Sequence, residues 1–243
     1  MDLDRFRSNG ASHAGTVRPV NQDAFVDRPD IGMWAVADGA GGHADGDRAA
    51  RLVAGALAAV GAGVSAGALV ADIRERLAAT HASLCDDASR AAGAAAHVSA
   101  STVVILVARA GRYVCLWAGD SRAYRLRDGD LTQLTRDHSL VQELLDAGAI
   151  TREDAARHPQ GNIITRAIGA PDQRMELDSV GGIFLPGDRF LLCSDGLCKT
   201  VPEMELRDLM AEAAIPDRLI EAALARRARD NITAITIEIL PPV

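Results

Sequence analysis

Val103-Val104-Ile105-Leu106-Val107 runs without a single polar residue. A strand with one wet face alternates apolar and polar side chains, so an unbroken run of this length belongs to a strand buried on both faces. The chain must therefore build a sheet and cover both of its sides. Only 3% of its 243 residues are aromatic, so the covering layers must be aliphatic. Further strands read over Asp23–Asp27 and Ile31–Ala37, around a turn at Arg28-Pro29-Asp30. Others read over Tyr113–Trp117, Arg122–Leu126, Arg174–Val180, Arg189–Cys193 and Ile232–Leu240. Asp128-Gly129 has the chemistry of a two-residue hairpin turn. Helical stretches read over Asp47–Val60, Ala66–Arg90, His138–Ala147, Glu203–Ala213 and Asp217–Arg229. The second carries Leu69, Val70, Ile73, Leu77 and Leu84 near helical spacing. A polar, less regular segment spans Thr151–Asn162.

Helices cluster after Ala37 and after Cys193, and strands come in hairpin-like runs. That order favours an α+β fold of antiparallel sheets covered by helices over a doubly wound parallel sheet. With no repeat and no Pro/Ser-rich linker, residues 1–243 read as a single domain. The net charge of −7 argues against nucleic acid as the main partner, because duplex binding needs clustered Lys and Arg. The first residues lack the basic-then-apolar order of a signal peptide, and no apolar run reaches the length of a membrane span. The expectation is a cytoplasmic protein. Cys85, Cys115, Cys193 and Cys198 form no C-x-x-C pair and read as small hydrophobes in a reducing compartment.

Two patterns invite misreading. Gly39-Ala40-Gly41-Gly42-His43-Ala44 matches a dinucleotide-binding turn, but Asp38 would face a pyrophosphate with like charge, and no acid follows about 20 residues on. Gly63-Val64-Ser65-Ala66-Gly67 matches the serine-hydrolase elbow, yet an Ala-rich helix stands where the strand should be. No cysteine has arginine six positions later, so a cysteine-dependent phosphatase has no support.

Aspartates carry the stronger signal. Asp38-Gly39, Gly119-Asp120 and Asp195-Gly196 follow apolar strands, Asp230-Asn231 precedes one, and Asp23 follows Asn21-Gln22. A short carboxylate at a strand end projects from a rigid base, and an adjacent glycine lets backbone or water approach. Converging buried aspartates require cations between them. All-oxygen ligation selects Mg²⁺, Mn²⁺ or Ca²⁺ over zinc. Any one Asp-Gly pair is more often a turn, and Asp45-Gly46 and Asp128-Gly129 read as turns only.

These residues resemble the metal-dependent Ser/Thr protein phosphatases of the PP2C (PPM) type in their compact bacterial form. Arg18-Pro19-Val20-Asn21-Gln22-Asp23 is similar to the family's opening R-x-x-N-E/Q-D, and Val36-Ala37-Asp38-Gly39-Ala40-Gly41-Gly42-His43 to V-A-D-G-M-G-G-H. Ala118-Gly119-Asp120-Ser121-Arg122, Leu134–Ser139, Ile164–Gly169, Leu192–Leu197 and Arg229–Thr233 complete seven motifs in the family's order. The resemblance implies two antiparallel sheets packed as a sandwich with helices on both outer faces. It implies two Mn²⁺ or Mg²⁺ ions, bridged by Asp38 and completed by the Gly39 carbonyl, Asp195 and Asp230, with Asp120 helping to hold a third, weaker ion. Asp23 and Asn231 stand behind the ligands, and Arg18 holds the phosphate. The implied reaction is hydrolysis of phosphoSer and phosphoThr by a metal-activated water. Phosphoproteins are the implied substrates, opposed to a cognate Ser/Thr kinase, and the chain is expected to be a monomer.

Three departures from the family stand out: Gln22 where some members have Glu, Ala40 where a histidine acid is proposed in animal members, and Ala100-Ser101-Thr102 for Gly-Thr-Thr. His43 is a nearby proton carrier that helix N-terminal structure explains as well. The segment from about Asp137 to Asn162 corresponds to the family's flap. Two other readings stay open: a non-catalytic module that binds a phosphoprotein, and a Ser65 esterase whose activity survives chelation.

Overall fold

The computed structural model describes residues 5–40, 44–62, 65–90, 99–155, 157–171, 175–212 and 215–241. Its strands form two sheets. One runs β1 (Phe6–His13), β11 (Ile232–Ile239), β10 (Arg189–Cys193), β7 (Arg122–Arg127), β8 (Asp130–Gln133). The other runs β2 (Asp23–Arg28), β3 (Met33–Ala40), β5 (Val103–Arg109), β6 (Arg112–Ala118), β9 (Asp178–Ile183), with β4 (Ala100–Ser101) against the end of β3. Every pairing is antiparallel.

Side chains on β5 alternate between two apolar layers. Val104 and Leu106 join Trp34, Val36, Phe190, Leu192, Ile235 and Ile237 between the sheets. Val103, Ile105 and Val107 face outward, under α1 (Ala44–Ala58) and α2 (Ala66–Arg90), where they meet Val53, Leu57, Ile73 and Leu77. The run has no polar position because both its faces are buried, and each such side chain contributes about 1.5–3 kcal/mol of hydrophobic stabilisation. A third layer lies on the far side of the other sheet. There Leu191, Cys193, Ile232 and Ala234 pack on α5 (Asp195–Cys198), α6 (Glu203–Glu212) and α7 (Pro216–Ala225) through Leu197, Leu206, Met210 and Leu219. The result is the expected α+β sandwich with helices outside both sheets.

Asp128 and Gly129 adopt φ of 51° and 84° in the β7–β8 turn, as an Asp-Gly hairpin requires. Several boundaries differ from the sequence reading. β1 carried no strand signal: Arg7-Ser8-Asn9-Gly10-Ala11-Ser12-His13 is polar, and its eight-residue register with β11 holds it at the sheet edge. β3 runs on through Asp38-Gly39-Ala40 because β4 pairs with its end, Gly39 opposite Ser101. Residues 41–43, and so His43, lie outside the described residues.

Gly46, read with Asp45 as a turn, falls instead in the first turn of α1. The strand expected over Arg174–Val180 is β9, shifted to Asp178–Ile183 by its pairing with β6. The helix expected from His138 is α3 (Leu140–Asp146), started by Ser139, whose hydroxyl accepts the Gln142 N–H. α4 (Arg152–Ala155) interrupts the polar segment. Ser65 accepts the Ala68 N–H at 3.2 Å, so its hydroxyl works as a helix cap; Gly63 and Val64 are outside the described residues. The four cysteines are free, and three of them are buried. Among the described residues no helix is long and apolar enough to cross a membrane.

Candidate metal centre

Both sheets send carboxylates to the same end of the sandwich. Asp23 opens β2 and lies directly opposite Asp38 of β3. Asp120 follows β6, Asp195 begins α5 just after β10, and Asp230 precedes β11. Local contacts fix each one. Thr102 N–H donates to the Asp38 carbonyl at 2.8 Å, and the Ser101 hydroxyl donates to it at 3.1 Å. The Thr102 and Ser121 hydroxyls share a hydrogen bond of 2.7 Å beside Asp120. The Ala100-Ser101-Thr102 departure thus keeps the hydroxyls that clamp this backbone. Gly39 is required by close approach, since a Cβ there would stand 2.2 Å from the Gly46 carbonyl oxygen. This packing, rather than a turn, is the reason for Gly46.

Electrostatics show how poorly the carboxylates are satisfied by protein alone. Burial, then the neighbouring Asp23, Asp195, Asp120 and Asp230, push the Asp38 carboxyl well above its ordinary pKa. Burial drives Asp23 up to about 7, although the Thr233 and Ser194 hydroxyls donate to its Oδ2 at 2.6 and 2.8 Å and oppose the shift. Asp195 is also raised, first by burial and then by Asp120. Among the described residues, Oδ1 of Asp23 and Oδ1 of Asp120 are buried without a hydrogen-bond partner. Orphaned buried carboxylate oxygens of this kind are costly and fit a cation close by.

Two side-chain cations answer part of this charge. Arg18 forks onto Asp230, Nε to Oδ1 at 2.9 Å and Nη2 to Oδ2 at 2.8 Å. Lys199 spans Asp120 Oδ2 at 2.6 Å and Asp195 Oδ2 at 2.9 Å. These two carboxylates push its ammonium above the ordinary lysine pKa despite burial, which pulls the other way. With the side chains so engaged, no three carboxylates among the described residues converge as a ready cation cage. Asp38, Asp195 and Asp230 nevertheless fit a pair of divalent ions, because the Arg18–Asp230 pair is about half exposed and such pairs are worth only about 0–1 kcal/mol. The position between Asp120 and Asp195 does not fit a further ion, since an ammonium already stands there.

The Asn231 side chain is spent on backbone groups. Its Oδ1 accepts the Gln22 N–H at 2.8 Å, and its Nδ2 donates to the Ala14 and Val20 carbonyls, both at 3.0 Å. It latches the loop bearing Arg18 to the start of β11. Sequence reasoning missed Lys199 and His138. The His138 Nδ1 accepts the Gly119 N–H at 3.1 Å, while its Nε2 faces Asp178 Oδ2 at 3.1 Å. That arrangement places the ring proton on Nε2 and steadies the turn before Asp120. Its only sequence signal was the Leu134–Ser139 motif, which carries no spacing to Gly119.

A cleft of about 490 Å³ opens beside Asp195 and Asp230, lined by Asn162, Lys199 and Arg226–Arg229. A second cavity of about 380 Å³ lies under the 137–162 segment, between Arg122–Asp137 and Leu145, His158 and Cys198. Arg122 forks onto Asp137 at 2.9 and 2.7 Å and so holds the base of that segment.

A two-sheet sandwich with aspartates gathered from both sheets at one end defines a class of proteins suited to hold divalent cations, and likeness to known proteins narrows the class. The family profile for protein phosphatase 2C matches residues 9–231, and the chain belongs to that family of metal-dependent Ser/Thr protein phosphatases. It is 34% identical over 232 residues to the serine/threonine protein phosphatase PstP of Mycobacterium tuberculosis, covering 94% of this chain but only 44% of PstP. The solved structure of PppA, a key regulatory component of T6SS in Pseudomonas aeruginosa, is 42% identical, with a TM-score of 0.88 over 98% of this chain and 99% of that one. The catalytic domain of PstP, solved in complex with two manganese ions, is 32% identical with a TM-score of 0.85, over 98% of this chain and 100% of that one.

Proposed function

We propose that the chain hydrolyses phosphoserine and phosphothreonine esters on proteins, using two Mn²⁺ or Mg²⁺ ions held by Asp38, the Gly39 carbonyl, Asp195 and Asp230. The observation that carries this reading is the gathering of five carboxylates at one end of the sandwich, two with buried oxygens that find no partner among the described residues. When bound, the ions supply Lewis-acid activation of water and charge neutralisation at the phosphoryl group. With the ions bound, Asp230 would help to hold them, and the Arg18 guanidinium fork, freed from that carboxylate, would be suited to two phosphoryl oxygens. The exposure of the pair keeps the cost of that exchange low. Asp23 sits behind the ligands as an acceptor fixed by Ser194 and Thr233, and Asn231 keeps the Arg18 loop in reach. Ala40 carries no proton, so no residue at that position protonates the leaving oxygen.

Substrate choice lies in the 137–162 segment and the cavity beneath it. We assign the whole of residues 1–243 to one phosphatase domain, monomeric and cytoplasmic, reversing the work of a Ser/Thr kinase. The test is phosphate release from a phosphothreonine peptide with and without Mn²⁺, for the native chain and Asp38→Asn. Metal-dependent release that falls at least ~100-fold in the variant is the expected result. Mn²⁺ binding without release would favour a phosphoprotein-binding module instead.

A further inference from the structure

We propose that the Lys199 ammonium is a built-in substitute for a third divalent ion, so that this chain holds two ions where its aspartates alone would hold three. The proposal rests on the two-ion reading above and adds to it which position is closed.

Lys199 follows α5 directly, and its backbone N–H bonds the Asp195 carbonyl at 2.8 Å, one turn on from the acid it contacts. That spacing delivers Nζ to Asp195 Oδ2 at 2.9 Å with a short, anchored tether. The same nitrogen reaches Asp120 Oδ2 at 2.6 Å, across 79 residues of chain, and the Gly161 carbonyl oxygen at 3.5 Å. An ammonium has three donors, and three oxygens surround this one. Asp120 is 1% exposed, and its other oxygen has no partner among the described residues. A carboxylate buried to that degree needs a positive charge next to it. Lys199 supplies that charge permanently, where a divalent ion would supply it only at sufficient concentration. An ion entering between Asp120 and Asp195 would meet like charge at contact distance, and expelling Lys199 would strip its carboxylate partners and its hold on Gly161. The contact with Gly161 also lets the lysine tie the 137–162 segment to the floor of the site through its own side chain.

The test is isothermal titration of the chelator-stripped chain with Mn²⁺, reading stoichiometry rather than turnover. The native chain is expected to bind two ions, and Lys199→Ala three, the additional one weaker. Lys199→Ala with Asp120→Ala is expected to return to two. Lys199→Met, which keeps the apolar stem without the charge, is the check should the alanine variant fail to fold, and it too is expected to bind three. Three ions on the native chain would overturn the proposal and leave the phosphatase reading intact. Two ions on both native and Lys199→Met would also overturn it. No binding at all would overturn the metal centre, and with it this proposal.

Discussion

Asn231 commits its Oδ1 and both of its amide hydrogens to the loop that carries Arg18. It is 4% exposed, so an alanine would strand the groups it serves. Asn231→Ala is expected to cost about 2–4 kcal/mol in urea denaturation and to raise KM for a phosphopeptide more than it lowers kcat. Lost stability with unchanged kinetics would make the latch structural only. His138 gives a pH signature. Burial, with help from Arg166, lowers its pKa below the ordinary 6.5, against the pull of Asp178 and Asp137. A folded-state pKa below the unfolded one stabilises the fold fully above the unfolded value and loses that stabilisation as pH falls through the folded one. Urea stability of the native chain relative to His138→Gln should therefore shrink from pH 7.5 to pH 5.5; a gap that stays constant refutes the assignment. The five aspartates were legible in the sequence because each stands beside a glycine or asparagine, or just after one, at an apolar strand end. Lys199 was not: after Leu197-Cys198 it reads as an ordinary surface charge, and nothing local brings it to Asp120.

Elements were legible where side-chain pattern alone sets them. β5 announced its two buried faces, and α2 its stripe of Leu69, Ile73, Leu77 and Leu84. β1 and the end of β3 were not legible, because backbone pairing to distant strands makes them and neither shows a period of two. Two glycines separate these kinds of constraint. Gly129 has positive φ and open space around its Cβ position, so Gly129→Ala should cost only backbone strain, about 1–2 kcal/mol. Gly39→Ala would drive a methyl into the Gly46 and Gln22 carbonyls and is expected to abolish activity and lower Tm by more than Gly129→Ala does. Comparing the two variants by thermal melting and peptide turnover checks both; an active Gly39→Ala would mean that α1 gives way easily.

At the scale of the molecule, the charge cluster sits where two sheets meet, Asp23, Asp38 and Asp120 from one and Asp195 and Asp230 from the other. Composition and strand order gave the α+β class, while the pairing of these sheets came from the family resemblance, since contacts between residues some 200 apart leave no local trace. Two divalent ions bound there would staple the sheets together. Saturating Mn²⁺ should raise Tm and EDTA should reverse it, with about 2.7 kcal/mol gained at a hundredfold excess over Kd. Calorimetry showing no shift would mean that the native fold does not bind the ions in preference to the unfolded chain. The pairing of β1 with β11 has a consequence in time. Arg18 and its loop emerge from the ribosome early, but Asp230, Asn231 and the strand that β1 needs as a neighbour come more than 200 residues later. A nascent chain that ends before Asp230 lacks that carboxylate and the Asn231 latch, and has an unfilled sheet edge. Activity therefore arrives only at the closing step of folding, and a truncated translation product is born inert.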